Sequence, residues 1–143
     1  MIYPVITLYQ PWATWIMRGW KTIETRTHNR FASLEGKTIL IHAGMRTDDS
    51  PAATQNPYLT REMINHNPDE MVNGGILGSV HVHAFGECMY SNSFRALIDC
   101  AMTQRWGLFL SDIKKFEIPI ACMGEMGIWY YDLDNKLKIR KPS

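Results

Sequence analysis

The stretch Gly19-Trp-Lys-Thr-Ile-Glu-Thr-Arg26 places a lysine, a glutamate and an arginine close together behind a glycine. Upstream, Pro4 to Tyr9 reads as a strand from its β-branched and aromatic residues. Pro11 stands where a helix begins, and Trp12, Trp15 and Ile16 follow at i, i+3, i+4 spacing. Gly19 is placed to end that helix after about two turns. Lys21 to Arg26 is then extended. On a regular strand Thr22, Glu24 and Arg26 share one face, and Lys21, Ile23 and Thr25 the other. Lys21 and Glu24 therefore reach one cavity only if Lys21 lies in the turn after Gly19, or if a bulge intervenes. Otherwise Glu24 pairs with Arg26.

Further along, Lys37 to Ala43 is a strand entered through a Glu35-Gly36 turn, and Ile76 to Phe85 is the clearest strand of all. Between them, residues 44–75 are polar and contain Pro51, Pro57 and Pro68, with one weak helix at about Tyr58 to His66. A segment of that length and composition reads as a functional lid or a mobile insertion. Phe94, Leu97, Ile98 and Ala101 mark a helix face, capped by Ser91 or Ser93. Trp106 to Leu110 and Phe116 to Ile118 are short strands. Gly127 to Tyr131 and Lys136 to Arg140 form a hairpin around Asp134-Asn135. Many short strands and few helices predict an α+β, mainly β domain spanning residues 1–143, a closed or nearly closed barrel with helices packed against it.

The composition narrows the function. The 143 residues are 45% apolar and 20% charged, with a net charge of +1. This is globular usage, and it excludes a globally electropositive nucleic-acid clamp. No apolar run approaches the roughly 18 residues of a membrane span. With no secretion signal at Met1-Ile-Tyr-Pro-Val, a cytoplasmic protein without membrane association is expected. Cys88, Cys100 and Cys122 are widely spaced and read as reduced, buried thiols, with no CxxC pair for zinc. Lys114-Lys115 and the group Lys136, Lys138, Arg140 and Lys141 are local basic patches. They suit phosphate contacts or, more blandly, a solvated lysine-guarded edge strand.

The segments Ile6-Thr-Leu-Tyr-Gln-Pro-Trp-Ala13, Gly19 to Arg26 and Leu40-Ile-His-Ala43 together resemble the ASCH family of the PUA-like superfamily. Gly75-Ile-Leu-Gly-Ser-Val, Trp106-Gly-Leu-Phe-Leu and Met126-Gly-Ile-Trp129 extend the likeness. The resemblance implies a PUA-like pseudo-β-barrel with a cleft between the first helix and the barrel. Relatives include nucleic-acid-binding modules, amidohydrolases acting on acylated cytidine, and a ribonuclease, so the family implies a pocket rather than one activity. In the amidohydrolases the pattern resembles Lys-x-x-Thr, with the acidic residue supplied from elsewhere. Here Glu24 stands at the threonine-like position, and Glu87, Glu117 and Glu125 are the later carboxylates available.

Within this frame the candidate ligand-binding residues are Tyr9, Gln10, Pro11, Trp12, Lys21, Glu24, Arg26 and His42. Lys21 and Glu24 are the catalytic candidates if the protein is a hydrolase. A desolvated lysine serves as base, nucleophile or phosphate ligand, whereas a nearby carboxylate holds it charged. The amides at the first helix N-terminus suit an anion, Gln10 a base edge, and Tyr9 or Trp12 a stacked base. Trp15 reads as core. His42 faces the cleft or is a satisfied structural histidine. His81 and His83 share a strand face but lack a third ligand, so no metal and no cofactor are expected. The expected partner is nucleic acid or a nucleotide-like small molecule. An adaptor surface on residues 44–75 is the remaining alternative.

Overall fold

The computed structural model describes residues 1–66 and 71–140. Pro68 of the polar segment and Lys141 of the basic cluster lie outside the described residues. Strand β1 (Ile2–Gln10) leads into helix α1 (Trp12–Met17), and β2 (Ile23–Arg26) follows. Then come β3 (Thr38–Thr47), two single-turn helices α2 (Pro51–Thr54) and α3 (Arg61–Ile64), and β4 (Gly75–Glu87). Helix α4 (Ser93–Ala96) precedes β5 (Trp106–Ala121), and β6 (Trp129–Asp132) pairs with β7 (Leu137–Ile139).

Among the described residues, seven strands join one sheet in the order β2-β5-β4-β3-β1-β6-β7. The β1–β3 ladder is parallel and the others are antiparallel. The strands β2 and β1 stand four places apart in that order, yet their residues line a common hollow. The sheet therefore curls into the expected pseudo-barrel, and the hollow is the seam where its ladder is not closed.

Alternation along the strands feeds apolar layers on both faces of the sheet. Ile6, Leu8, Ile39, Ile41, Val80 and Leu108 point inward, where Ala13, Ile16 and Met17 of α1 join them. Val5, Leu40, Ile76, Trp129 and Tyr131 form the layer on the opposite face. Trp15 is core as expected, packed with Leu59, Met63 and Leu97.

Three sequence expectations change. The helix over Phe94–Ala101 stops at Ala96, because Leu97 turns left-handed at φ 59°. Carbonyls that a longer helix would use accept from other parts of the chain: Ala96 from Lys21 Nζ, and Leu97 from Asn56 Nδ2 at 3.0 Å. Neither serine caps that helix through its side chain. Ser93 Oγ instead accepts from the Cys100 amide at 3.0 Å. The strands expected at Trp106–Leu110 and Phe116–Ile118 are halves of one 16-residue strand, bent through Asp112 at φ 50° with shifts of register against β4. Finally, the described part of the 44–75 segment holds more structure than the one weak helix expected at about Tyr58 to His66, with α2 and α3 each a single turn. Strand β3 runs on through Thr47, and Leu59 and Met63 are buried against Trp15.

The β4–β5 approach is tight at Gly78, where an added Cβ would lie 2.3 Å from the Lys114 carbonyl oxygen. We predict that Gly78→Ala lowers stability by about 1–3 kcal/mol through overpacking. Gly86→Ala, with nothing within 4 Å of its Cβ, should stay within about 0.5 kcal/mol. Urea melts of the two variants would test the packing, and equal stabilities would contradict it.

Candidate functional site

Helix α1 ends in a Schellman arrangement. The Gly19 amide bonds the Ile16 carbonyl at 2.9 Å and the Trp20 amide bonds that of Trp15 at 3.0 Å, with Gly19 at φ 76°. The Lys21 amide shares the Trp15 carbonyl at 3.2 Å. Lys21 thus belongs to the turn, and β2 begins two residues later at Ile23. This satisfies the condition under which Lys21 and Glu24 point into one cavity.

They do so as a buried row. Lys21 is only 2% exposed and Glu24 7%. Lys21 Nζ lies 3.7 Å from Glu24 Oε1, and Arg26 Nη2 lies 3.3 Å from Oε2 of the same carboxylate. Glu24 is therefore the partner of both cations, not of one or the other. Lys21 Nζ also donates to the Ala96 carbonyl and sits 5.1 Å from the centre of the Trp12 ring. The Arg26 guanidinium lies 5.0 Å from the centre of Phe31. Burial pushes the lysine pKa below its ordinary value, against the opposing pull of Glu24.

Two hollows open on this row. One, of about 340 Å³, is bounded by Tyr9, Trp12, Glu24, Arg26 and Phe31, with Glu125 opposite. The other, of about 260 Å³, is bounded by Lys21, Thr25, Ile98 and Arg105. Trp12, Glu24 and Asp48 border both, so they form one cleft along α1 and the seam of the barrel. Asp48 Oδ2 accepts from Trp12 Nε1 at 2.8 Å. Burial raises the Asp48 pKa, but hydrogen bonds from Ser50 and Trp12 outweigh it and leave the carboxyl below its ordinary value. The Nε–H groups of Arg26 and Arg105 are buried without a hydrogen-bond partner among the described residues.

Tyr9, half exposed, and Trp12 border the cleft as expected. Gln10 does not. Its Oε1 accepts from the Thr14 amide at 2.9 Å and its Nε2 donates to the Val72 carbonyl at 2.7 Å, and the side chain is fully buried, so neither end can read a base. The same contact occupies an amide at the helix start, where an anion was expected to bind. Pro11 is buried and borders neither hollow. His42 borders neither of these two hollows but a further one of about 740 Å³, which shares Thr7, Tyr9, Glu125 and Met126 with the first. Its Nε2 donates to the Cys122 carbonyl at 2.8 Å, and Nδ1 accepts from Thr7 Oγ1 at 3.2 Å. Trp129 Nε1 in turn donates to that hydroxyl at 3.0 Å. Burial pushes the His42 pKa down, which favours the neutral ring.

Of the three later carboxylates, Glu125 borders the cleft. Glu117 borders a separate hollow, and Glu87 accepts from Gln104 Nε2 at 3.1 Å. Thr25 borders the Lys21 hollow and its Oγ1 accepts from Arg105 Nη1 at 3.3 Å. Thr22 Oγ1 accepts from Arg95 Nε at 3.3 Å. Sequence reasoning missed Asp48, Arg105, Phe31 and the Ala96 carbonyl. The one signal for Asp48 was its acidic pair with Asp49 at the head of the polar segment. Behind Lys21, Cys88 packs with Cys100 in the layer under Ile23, and burial pushes its thiol up to about 12. Among the described residues, no three side chains of His, Cys, Asp or Glu gather to hold a metal, and no helix is long and apolar enough to cross a membrane.

A curled mixed sheet with a short helix plugging its inner face and a polar seam beside that helix defines a PUA-like domain. The chain belongs to the ASCH family, whose domain matches residues 6–120. Crystal structures of ASCH from Zymomonas mobilis share the fold. One is 16% identical, covers 82% of this chain and 72% of that one, and superposes with a TM-score of 0.52. A tyrosine-to-phenylalanine variant of that protein is 16% identical over 82% and 74% of the two chains, with a TM-score of 0.51. A serine-to-alanine variant is 18% identical over 82% and 72%, with a TM-score of 0.50. At this identity the likeness carries the fold alone. No curated protein sequence matches the chain.

The desolvated lysine has a consequence for stability. Its folded pKa lies below 10.5, the ordinary value it regains on unfolding. Between those two values the unfolded chain binds more protons, so native stability rises with pH through that window. Lys21→Met removes the effect. The stability of wild type relative to this variant should therefore increase from neutral to alkaline pH in paired urea melts. A flat or falling difference would mean that the lysine is not desolvated.

Proposed function

We propose that this protein is an ASCH-type module that binds nucleic acid or a nucleotide-like ligand by receiving a base in the cleft beside α1. One observation carries this reading. The cleft combines aromatic side chains, Tyr9 and Trp12, with the arginines Arg26 and Arg105 on its wall. Carboxylates of Glu24, Asp48 and Glu125 border the same space. A nucleobase is flat, accepts hydrogen bonds at its carbonyl and ring nitrogens, and donates from its amino groups. It meets each of these features, whereas an aliphatic ligand meets none.

A hydrolase acting on acylated cytidine or RNA is the second reading. It is favoured by the lowered pKa of Lys21 at 3.7 Å from Glu24, with the Thr25 hydroxyl in the same hollow. It ranks second because Lys21 already donates to the Ala96 carbonyl and Thr25 already accepts from Arg105, so neither is poised for attack.

The test is titration of nucleosides, single-stranded RNA and DNA at two salt concentrations. Tyr9→Ala should weaken base binding by about 1–3 kcal/mol, roughly 5- to 150-fold in Kd, the usual loss for a stacked base. Absence of binding to every one of these at low salt would refute the reading. Incubation with acylated cytidine and RNA, beside Lys21→Ala and Glu24→Ala, addresses the second reading. Turnover lost in both variants supports it, and turnover surviving in both removes these residues as catalysts.

A further inference from the structure

The row of hollows does not end at Arg26. Besides the hollow at His42, another of about 420 Å³ lies on the β6–β7 hairpin and shares Glu125 and Met126 with the cleft. Trp129, Tyr130, Lys138 and Arg140 contribute to it. Met126, at the junction, is 98% exposed. This end of the groove is built from residues beyond the 6–120 match to the family.

Charge separates the two ends. In the cleft, the carboxylates of Glu24, Asp48 and Glu125 balance the cations of Lys21, Arg26 and Arg105, whereas on the hairpin Glu125 alone faces two cations. A phosphate gains little in the cleft. On the hairpin, Lys138 Nζ lies 5.6 Å from the centre of the Trp129 ring, and neither Lys138 nor Arg140 has a carboxylate within 4.0 Å among the described residues. Lys138 lies in β7 and Arg140 directly follows that strand, so their Cα atoms are about 7 Å apart and both side chains border the same hollow. Successive phosphates of an extended single strand can be met by such a pair.

We infer that the ligand is a single strand of nucleic acid rather than a free nucleoside. One base enters the cleft, and the strand crosses Met126 onto the hairpin, where Lys138 and Arg140 contact phosphates. This inference rests on the base-binding reading of the cleft. The order of charges gives it a direct consequence: salt sensitivity resides in the hairpin, and base recognition in the cleft.

The test uses fluorescein-labelled RNA and DNA hexanucleotides, with the corresponding mononucleosides followed by tryptophan fluorescence. Wild type and the Lys138→Ala/Arg140→Ala double variant are compared across a salt series, with thermal melts of both. Loss of two phosphate contacts on a single strand should flatten the slope of log K against log salt by about 1.4. The preference for hexanucleotide over nucleoside should fall about tenfold at low salt. Either RNA or DNA behaving this way supports the inference. An unchanged slope and preference in the double variant would overturn it while leaving base binding in the cleft intact. Wild type that binds hexanucleotides no better than nucleosides would overturn it as well. Wild type that binds neither would overturn the cleft reading and this inference together.

Discussion

Two amides share one carbonyl at the end of the first helix, and the rest of the site depends on it. Because Trp20 and Lys21 both donate to Trp15, the chain leaves α1 without committing Lys21 to the alternation of β2. Lys21 then turns inward beside Glu24, which a residue at that strand position could not do. Once buried, its ammonium requires partners, since an unpaired charge in the interior is costly. Glu24 and the Ala96 carbonyl meet that need. The second of these helps explain why α4 is so short: its last carbonyl faces Lys21 instead of a further helical turn.

The cleft follows from the curl of the sheet. Strand β2 is hydrogen-bonded only to β5 in the sheet order, so its other edge is left toward β1 and the turn Glu125 to Gly127. Hydrophobic packing of α1 on the inner face leaves Trp12 at the rim, tied to Asp48 at the end of β3. Polar groups that would be unfavourable inside a closed barrel are tolerable at such a seam.

Much of this was legible in the sequence, for reasons that differ by element. The strands around Ile6, Ile39 and Val80 and the stop at Gly19 rest on local patterning, and they stand where that patterning puts them. The parity of Lys21, Glu24 and Arg26 framed the right alternatives, and the turn resolved them in favour of both pairings. What failed was decided by distant partners. The 94–101 helix face is a genuine apolar periodicity, interrupted by Lys21 and Asn56 from elsewhere in the chain. Gln10 and His42 have side chains suited equally to ligand and to backbone, and only the fold reveals Thr14, Val72 and Cys122 as their partners. Asp48 and Arg105 join the cleft from far along the chain, where no local spacing could mark them.

The central claim is that the row Lys21, Glu24 and Arg26 is the floor of a base-binding cleft. It is tested most directly by proton–nitrogen NMR of the Trp12 Nε1–H and of the Arg26 and Arg105 Nε–H groups during titration with cytidine and a single-stranded RNA hexanucleotide. These three signals border the cleft from both of its ends. All three should shift together with one dissociation constant as the cleft fills. Saturable binding that leaves them unmoved, with shifts confined to another face of the barrel, would contradict the account.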